Sequence, residues 1–207
     1  MPNVLVLAPH TDDESIGCGG TLAKLREQGK DMLILAFSPC IESLPGAFKK
    51  DDIISEFWSA AETLKCKSSL RGYPVRTFPS KRQNILQDMI NVKDEWSDPT
   101  VVFCPSLNDT HQDHKTVAEE AIRAFPHANI LCYELPIKSV QFEPKFFVGL
   151  EDRHIKAKRL AMECYKSQMG KENYQLNLEY MEALAKFRGM QNGTPYAEAF
   201  EVIRWRI

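Results

Sequence analysis

The chain alternates short, continuous apolar runs with stretches of helical spacing. Val4 to Ala8 contains no polar side chain and stops at Pro9, the pattern of a strand buried on both faces of a parallel sheet. Polar residues follow at once. Gly19-Gly20 then leads into Thr21 to Gly29, where Leu22 and Leu25 share one face and Gly29 supplies a stop, so a helix is expected there. Met32 to Phe37 repeats the buried-strand signature.

The alternation continues downstream. Helices are expected from about Lys49 to Leu64 and from about Arg82 to Val92, then a strand over Thr100 to Phe103. A helix running to about Ala124 precedes a strand at Asn129 to Tyr133 and another around Phe146 to Val148. Two more helices, His154 to about Ser167 and Gln175 to about Arg188, lead to a closing strand from Ala199 to Trp205. Tyr165, Tyr174, Tyr180 and Phe187 recur on those helices and are expected to pack inward. The plan is α/β, with a mostly parallel sheet flanked by helices in three layers. No repeat, low-complexity segment or linker divides it, so one domain over residues 1–207 is expected.

Composition narrows the function. With 207 residues, 43% of them hydrophobic, the chain can bury a full core. Its formal charge is -2, from 26 Lys and Arg against 28 Asp and Glu, which gives no basic field for nucleic acid. No apolar stretch nears the about 20 residues of a membrane span, and Val4 to Ala8 lacks the length and charged flank of a secretory signal. The six cysteines, at 18, 40, 66, 104, 132 and 164, form no CxxC pair and are expected as reduced thiols of a cytoplasmic protein. Cys18 is expected as helix-start packing.

Chemistry concentrates in two clusters. Three of the five histidines lie in His10-Thr11-Asp12-Asp13-Glu14 and His111-Gln112-Asp113-His114, each a short step after an expected buried strand. In an open parallel sheet, ligands bind beyond the carboxyl ends of the strands, so the two segments should converge. His10, Asp13 and His114 offer two imidazoles and a carboxylate, the donor set that suits Zn2+ and leaves a position open for water. Other divalent ions such as Fe2+ accept the same set. Asp12 can take the water's proton, His111 can donate to an oxyanion or a leaving amine, and Asp113 can hold the His111 imidazole by a hydrogen bond. Asp109 or Thr110 is a candidate helix N-cap.

These residues resemble the PIG-L/LmbE-like family of zinc-dependent N-deacetylases. The family's His-Pro-Asp-Asp-Glu and Gly-Cys-Gly-Gly-Thr stand here within PHTDDESIGCGGTLAKL, Pro9 to Leu25, and its Asp-x-His-Pro-Asp-His as Asp109 to His114. The likeness extends to Glu56 with Ala60-Ala61 and Leu64, to KAKRLAMECYKSQ over 156–168, and to RGMQNGTPYAEAFEV over 188–202. It implies a Rossmann-like fold, His10, Asp13 and His114 as zinc ligands, Asp12 as base, and His111 as stabiliser of the tetrahedral intermediate. The implied substrate is a small-molecule or lipid-linked N-acetylated amino sugar: a GlcNAc-type glycoside, glycolipid or sugar nucleotide. Thr11 and Gln112 replace the usual prolines, and Ile53 stands where an Arg is frequent.

Rival readings are weaker. Gly17-Cys18-Gly19-Gly20 invites an NAD-binding or nucleotide-binding loop, but GxGxxG would need glycine at position 22, which is Leu, and no acidic residue closes the second strand. A non-catalytic metal-binding protein of the same fold would have no use for Asp12 and His111. His127 is expected as a solvated turn residue and His154 as a helix-start residue. Arg76 is a candidate substrate contact within the 38–80 region, and homo-oligomerisation is left open.

Overall fold

The computed structural model describes residues 3–169 and 177–206. Five strands run parallel: β1 (Asn3–His10), β2 (Asp31–Ser38), β3 (Lys67–Leu70), β4 (Val101–Pro105) and β5 (Asn129–Tyr133). Two more, β6 (Phe146–Leu150) and β7 (Tyr196–Arg204), complete a sheet of order β3-β2-β1-β4-β5-β7-β6, with β7 antiparallel to both neighbours. The chain moves outward from β1 to β3 on one side and returns to β4 on the other. The strand order therefore reverses between β1 and β4, and a crevice opens at their carboxyl ends.

Successive β1 side chains feed two cores, which is why its sequence reads as an unbroken apolar run. Val4, Val6 and Ala8 pack with Ile34 and Ala36 under the helices α1 (Asp13–Glu27), α2 (Lys50–Thr63) and α5 (Asp152–Glu163). Leu5 and Leu7 pack on the opposite face with Leu35 and Phe37 under α3 (Arg82–Glu95) and α4 (Gln112–Ala124). A short helix α6 (Lys166–Met169) and α7 (Leu178–Asn192) complete the helical elements among the described residues. None of these helices is long and apolar enough to cross a membrane.

The glycine-rich segment differs most from expectation. Helix α1 begins at Asp13 rather than Thr21 and breaks its geometry at Cys18, where φ is −146° and ψ 16°. The break frees backbone groups, and buried charges take them up. Glu198 on β7 accepts from the Gly20 and Thr21 amides at 3.0 and 2.6 Å, while Lys158 donates to the Ile16 carbonyl at 2.7 Å and to Glu198 at 2.6 Å. Gly17 is required by close packing, since a Cβ there would come within 2.3 Å of the Tyr133 ring, while at Gly20 it would press to 2.6 Å on the end of the Leu150 side chain. Cys18 packs inside the kink, its thiol donating to the Glu14 carbonyl. Gly17 and Gly20 thus let α1 lie close against Tyr133 and Leu150.

Other corrections follow from burial. Strand β3 carries Lys67-Ser68-Ser69, too polar at a sheet edge to be read as a strand. Tyr165 is fully buried as expected, but Tyr180 and Phe187 are exposed, because α7 buries only Met181, Ala185, Arg188 and Gly189. Tyr174 and the expected helix start at Gln175 lie outside the described residues. His127 is an exposed turn residue, and His154 closes a capping box with Glu151 at the start of α5. The cysteines are free thiols; Cys104 and Cys132 face each other across β4 and β5 at 3.7 Å, both fully buried.

Candidate metal centre

Both clusters reach the crevice. His10 is the last residue of β1, Asp12 and Asp13 open α1, and His111 caps α4 by accepting the Asp113 amide on Nδ1 at 3.1 Å. His111, not Asp109 or Thr110, is thus the N-cap of α4. His10, Asp13 and His114 are all buried, at 8%, 2% and 1% exposure, so their charges must be matched by partners rather than by water.

The outer ring nitrogens are fixed by carboxylates. His114 Nδ1 lies 2.7 Å from Asp109 Oδ2, and His10 Nε2 lies 3.2 Å from Asp113 Oδ2. Ionised carboxylates only accept, so each of these outer nitrogens carries a proton. The inner nitrogens are left to present lone pairs to an ion that displaces the second His10 proton. His10 Nδ1 and His114 Nε2 stand 3.0 Å apart, and Asp13 Oδ2 is 3.4 Å from each. Converging donors in a buried site need positive charge among them, which a second proton on His10 supplies in the metal-free chain and a bound cation would supply in its place. Donors on a tetrahedral ion at ~2.0–2.1 Å are separated by ~3.3–3.4 Å, so the triangle has the size of one tetrahedral face. The donor set fits a divalent cation.

His111 is the alternative third donor, since one ring nitrogen each of His10, His111 and His114 lie within 4.8 Å of one another. Its Nδ1 is already committed to the Asp113 amide. Titration follows the same geometry. Burial opposes a charge on His10, but hydrogen bonds to Asp113 and Asp13 outweigh it and raise the pKa to about 9. Burial pushes the Asp13 carboxyl up, yet the charge of His114 and the bonds to His10 hold it below the usual carboxylate range. His111 is lowered to about 4, first by burial and then by the charges of His114 and His10.

Asp113 does not play the part expected of it. Its carboxylate is 4.0 Å from His111 Nδ1 and instead serves His10, the Arg76 amide at 2.5 Å and the Phe78 amide at 3.2 Å. Its hydrogen bond to His111 comes from the backbone amide, while the side chain turns toward β1. Asp109 was missed as an orienting residue: it is buried, and its second oxygen accepts the His111 amide at 2.7 Å. The departures from the motif also have consequences. Thr11 donates its amide to the Ser38 carbonyl at 3.1 Å, a bond no proline can make, and Gln112 donates to the Arg76 carbonyl. Arg76, at φ 68°, is thereby tied by its backbone to Asp113 and Gln112, with its guanidinium exposed and bonded to Ser43 at 3.3 Å. Ile53 is fully buried in the core.

The family model for PIG-L, GlcNAc-PI de-N-acetylase, matches residues 5–125, which contain both clusters. The uncharacterized deacetylase YaiS of Escherichia coli K12 is 26% identical over 79% of this chain and 90% of its own. The diacetylchitobiose deacetylase of Thermococcus kodakarensis is 24% identical over 98% of this chain and 84% of its own. Among solved structures, the conserved protein TT1542 of Thermus thermophilus superposes with a TM-score of 0.81 at 25% identity, covering 100% of this chain and 97% of that one. The 4-carboxy-2-hydroxymuconate hydratase GalB of Pseudomonas putida KT2440 gives 0.80 at 23%, covering 100% and 98%, so the fold alone does not fix the bond attacked. With a family model covering more than half its length, the chain belongs to the PIG-L family of de-N-acetylases.

Proposed function

We propose that the chain is a divalent-metal-dependent hydrolase that removes the acetyl group from an N-acetylated amino sugar, with His10, Asp13 and His114 holding the ion. The observation that carries this reading is the triangle of buried donor atoms with edges of 3.0, 3.4 and 3.4 Å at the sheet's switch point. Zinc suits two imidazoles and a carboxylate, and Fe2+ is the main competitor. When bound, such an ion supplies Lewis acidity, making hydroxide available near neutral pH and polarising a carbonyl.

The residues around it do the rest. Asp12 accepts the proton of the attacking water as oxygen bonds to the acetamide carbon. His111, with Nδ1 occupied by a backbone amide, carries its proton on Nε2 when neutral and donates from there to the developing oxyanion. A pKa lowered to about 4 keeps it neutral at pH 7, which favours this role over that of a charged acid. Asp12 then passes its proton to the amine nitrogen as the carbon–nitrogen bond breaks, giving acetate and a free amine. Asp109 and Asp113 hold the ring orientations of His114 and His10.

The amino-sugar substrate is supported by the family description and by the diacetylchitobiose activity named for a relative. Acetate release should be followed over N-acetylglucosamine, N,N'-diacetylchitobiose, a UDP-linked N-acetyl sugar and a lipid-linked analogue. Turnover of at least one, abolished in Asp12→Ala with metal retained, is expected. Undiminished turnover in Asp12→Ala removes that residue as base, and no acetate from any N-acetyl sugar removes the substrate class.

A further inference from the structure

Asp12 holds a strained backbone. Its φ is 110°, in the half of conformational space that side-chain-bearing residues rarely occupy, and such strain persists only where neighbours over-determine it. The Asp12 carbonyl is fixed by the Ser15 and Ile16 amides at 3.0 Å each, as the opening of α1 requires. Its amide is fixed by something less ordinary. It donates at 3.1 Å to Oε2 of Glu14, a carboxylate with no exposed surface at all.

Glu14 is itself held. Its Oε1 accepts from the Tyr165 and Ser15 hydroxyls at 2.7 Å each. Burial pushes its carboxyl pKa up, while these three donors favour the anion. Tyr165 is fully buried in the turn between α5 and α6, and that turn is anchored from α2, where Glu56 accepts from the Ser167 amide at 2.9 Å and its hydroxyl at 2.6 Å. Hydrogen bonds therefore link α2 and the α5–α6 turn to the loop that carries Asp12. The Glu56 segment and the KAKRLAMECYKSQ segment, both outside the metal centre, meet in this one network.

We propose that Glu14 and Tyr165 are positioning residues for Asp12: the buried carboxylate, oriented by the tyrosine hydroxyl, holds the Asp12 amide and so fixes the direction in which the Asp12 carboxylate leaves the backbone. The proposal rests on Asp12 being the base of the reaction proposed above. Neither residue touches the reacting atoms. Without the Glu14 acceptor, the amide turns to relieve the strain, and the carboxylate loses its alignment with the water it deprotonates.

A double-mutant cycle in the metal-loaded protein tests this, with N,N'-diacetylchitobiose as substrate and metal content measured in parallel. Glu14→Ala is expected to lower kcat by about 10- to 100-fold, the range for misplacing a catalytic group, with KM and metal content little changed. Glu14→Gln, whose amide oxygen can still accept the Asp12 N–H, should restore most of the loss. Combined with Asp12→Ala, Glu14→Ala should cost nothing further. Amide hydrogen exchange at Asp12 should be protected in the parent chain and lose that protection in Glu14→Ala. Tyr165→Phe keeps the ring in its buried place and should show a smaller kcat loss with the same dependence on Asp12. If Glu14→Ala and Tyr165→Phe lower the residual activity of Asp12→Ala by the factors they impose on the parent chain, the proposal is overturned while the base assignment stands. Full activity in Asp12→Ala overturns both.

Discussion

Replacing Asp109 by asparagine exchanges one atom and removes one acceptor. The native carboxylate serves two donors at once, the His114 Nδ1–H and the His111 amide, both at 2.7 Å and within a side chain only 1% exposed. An amide has a single acceptor oxygen. If that oxygen faces His111, the NH2 group meets His114 Nδ1, which must then accept, so the ring proton moves to Nε2 and points into the donor triangle. If the oxygen faces His114, the NH2 group confronts the His111 amide and leaves a buried donor unsatisfied, at a cost of about 1–3 kcal/mol. Either arrangement weakens the ion site. Losses on changing such outer partners run to about 10- to 100-fold in metal affinity, or about 1.4–2.7 kcal/mol. Competition with a chelator of known affinity, read as zinc retained at pH 7, measures this directly. An affinity within twofold of the parent chain would show that Asp109 does not orient His114, and the assignment of the lone pairs would fail with it.

Three further outcomes are expected. Gly17→Ala should destabilise the fold by about 1–3 kcal/mol in urea, despite alanine's better helix propensity, because its Cβ would lie 2.3 Å from the Tyr133 ring; an unchanged midpoint would refute that packing. Glu198→Ala strands the buried Lys158 ammonium and should cost about 3–5 kcal/mol, whereas pairing it with Lys158→Met should recover much of the loss; equal instability of single and double variants would refute the charge argument. Metal-free protein should lose stability as pH rises from about 6.5 to about 9. The folded state holds the His10 proton to about 9, and the unfolded chain releases it near 6.5, so stability gained below that window, on the order of 3 kcal/mol, disappears across it. Thermal melts with chelator should show that slope and metal-saturated samples should not.

Much of the architecture was legible because burial on both faces of β1 and β2 leaves unbroken apolar runs, and α4 sets its apolar residues at helical spacing. Both histidine clusters could be placed because each lies a short step from the end of an apolar strand. What stayed hidden depends on contacts across the sheet. Gly17 and Gly20 looked like loop residues, since nothing near them announces Tyr133 or Leu150, more than a hundred residues away. Asp113 could be assigned to His111 by proximity in sequence, but capping aims its carboxylate at His10 instead. Asp109 read as a cap for the same reason, although its position five residues before His114 allows the side chains to meet. The support that Tyr165 gives Glu14 spans 151 positions and has no local signature.

The central claim is that His10, Asp13 and His114, rather than three histidines, hold the ion. Elemental analysis of paired variants tests it most directly. About one divalent ion per chain is expected in the parent and in His111→Ala, and a loss of bound metal in Asp13→Ala and in His114→Ala. Retention in Asp13→Ala with loss in His111→Ala would contradict the account and assign the third donor to His111.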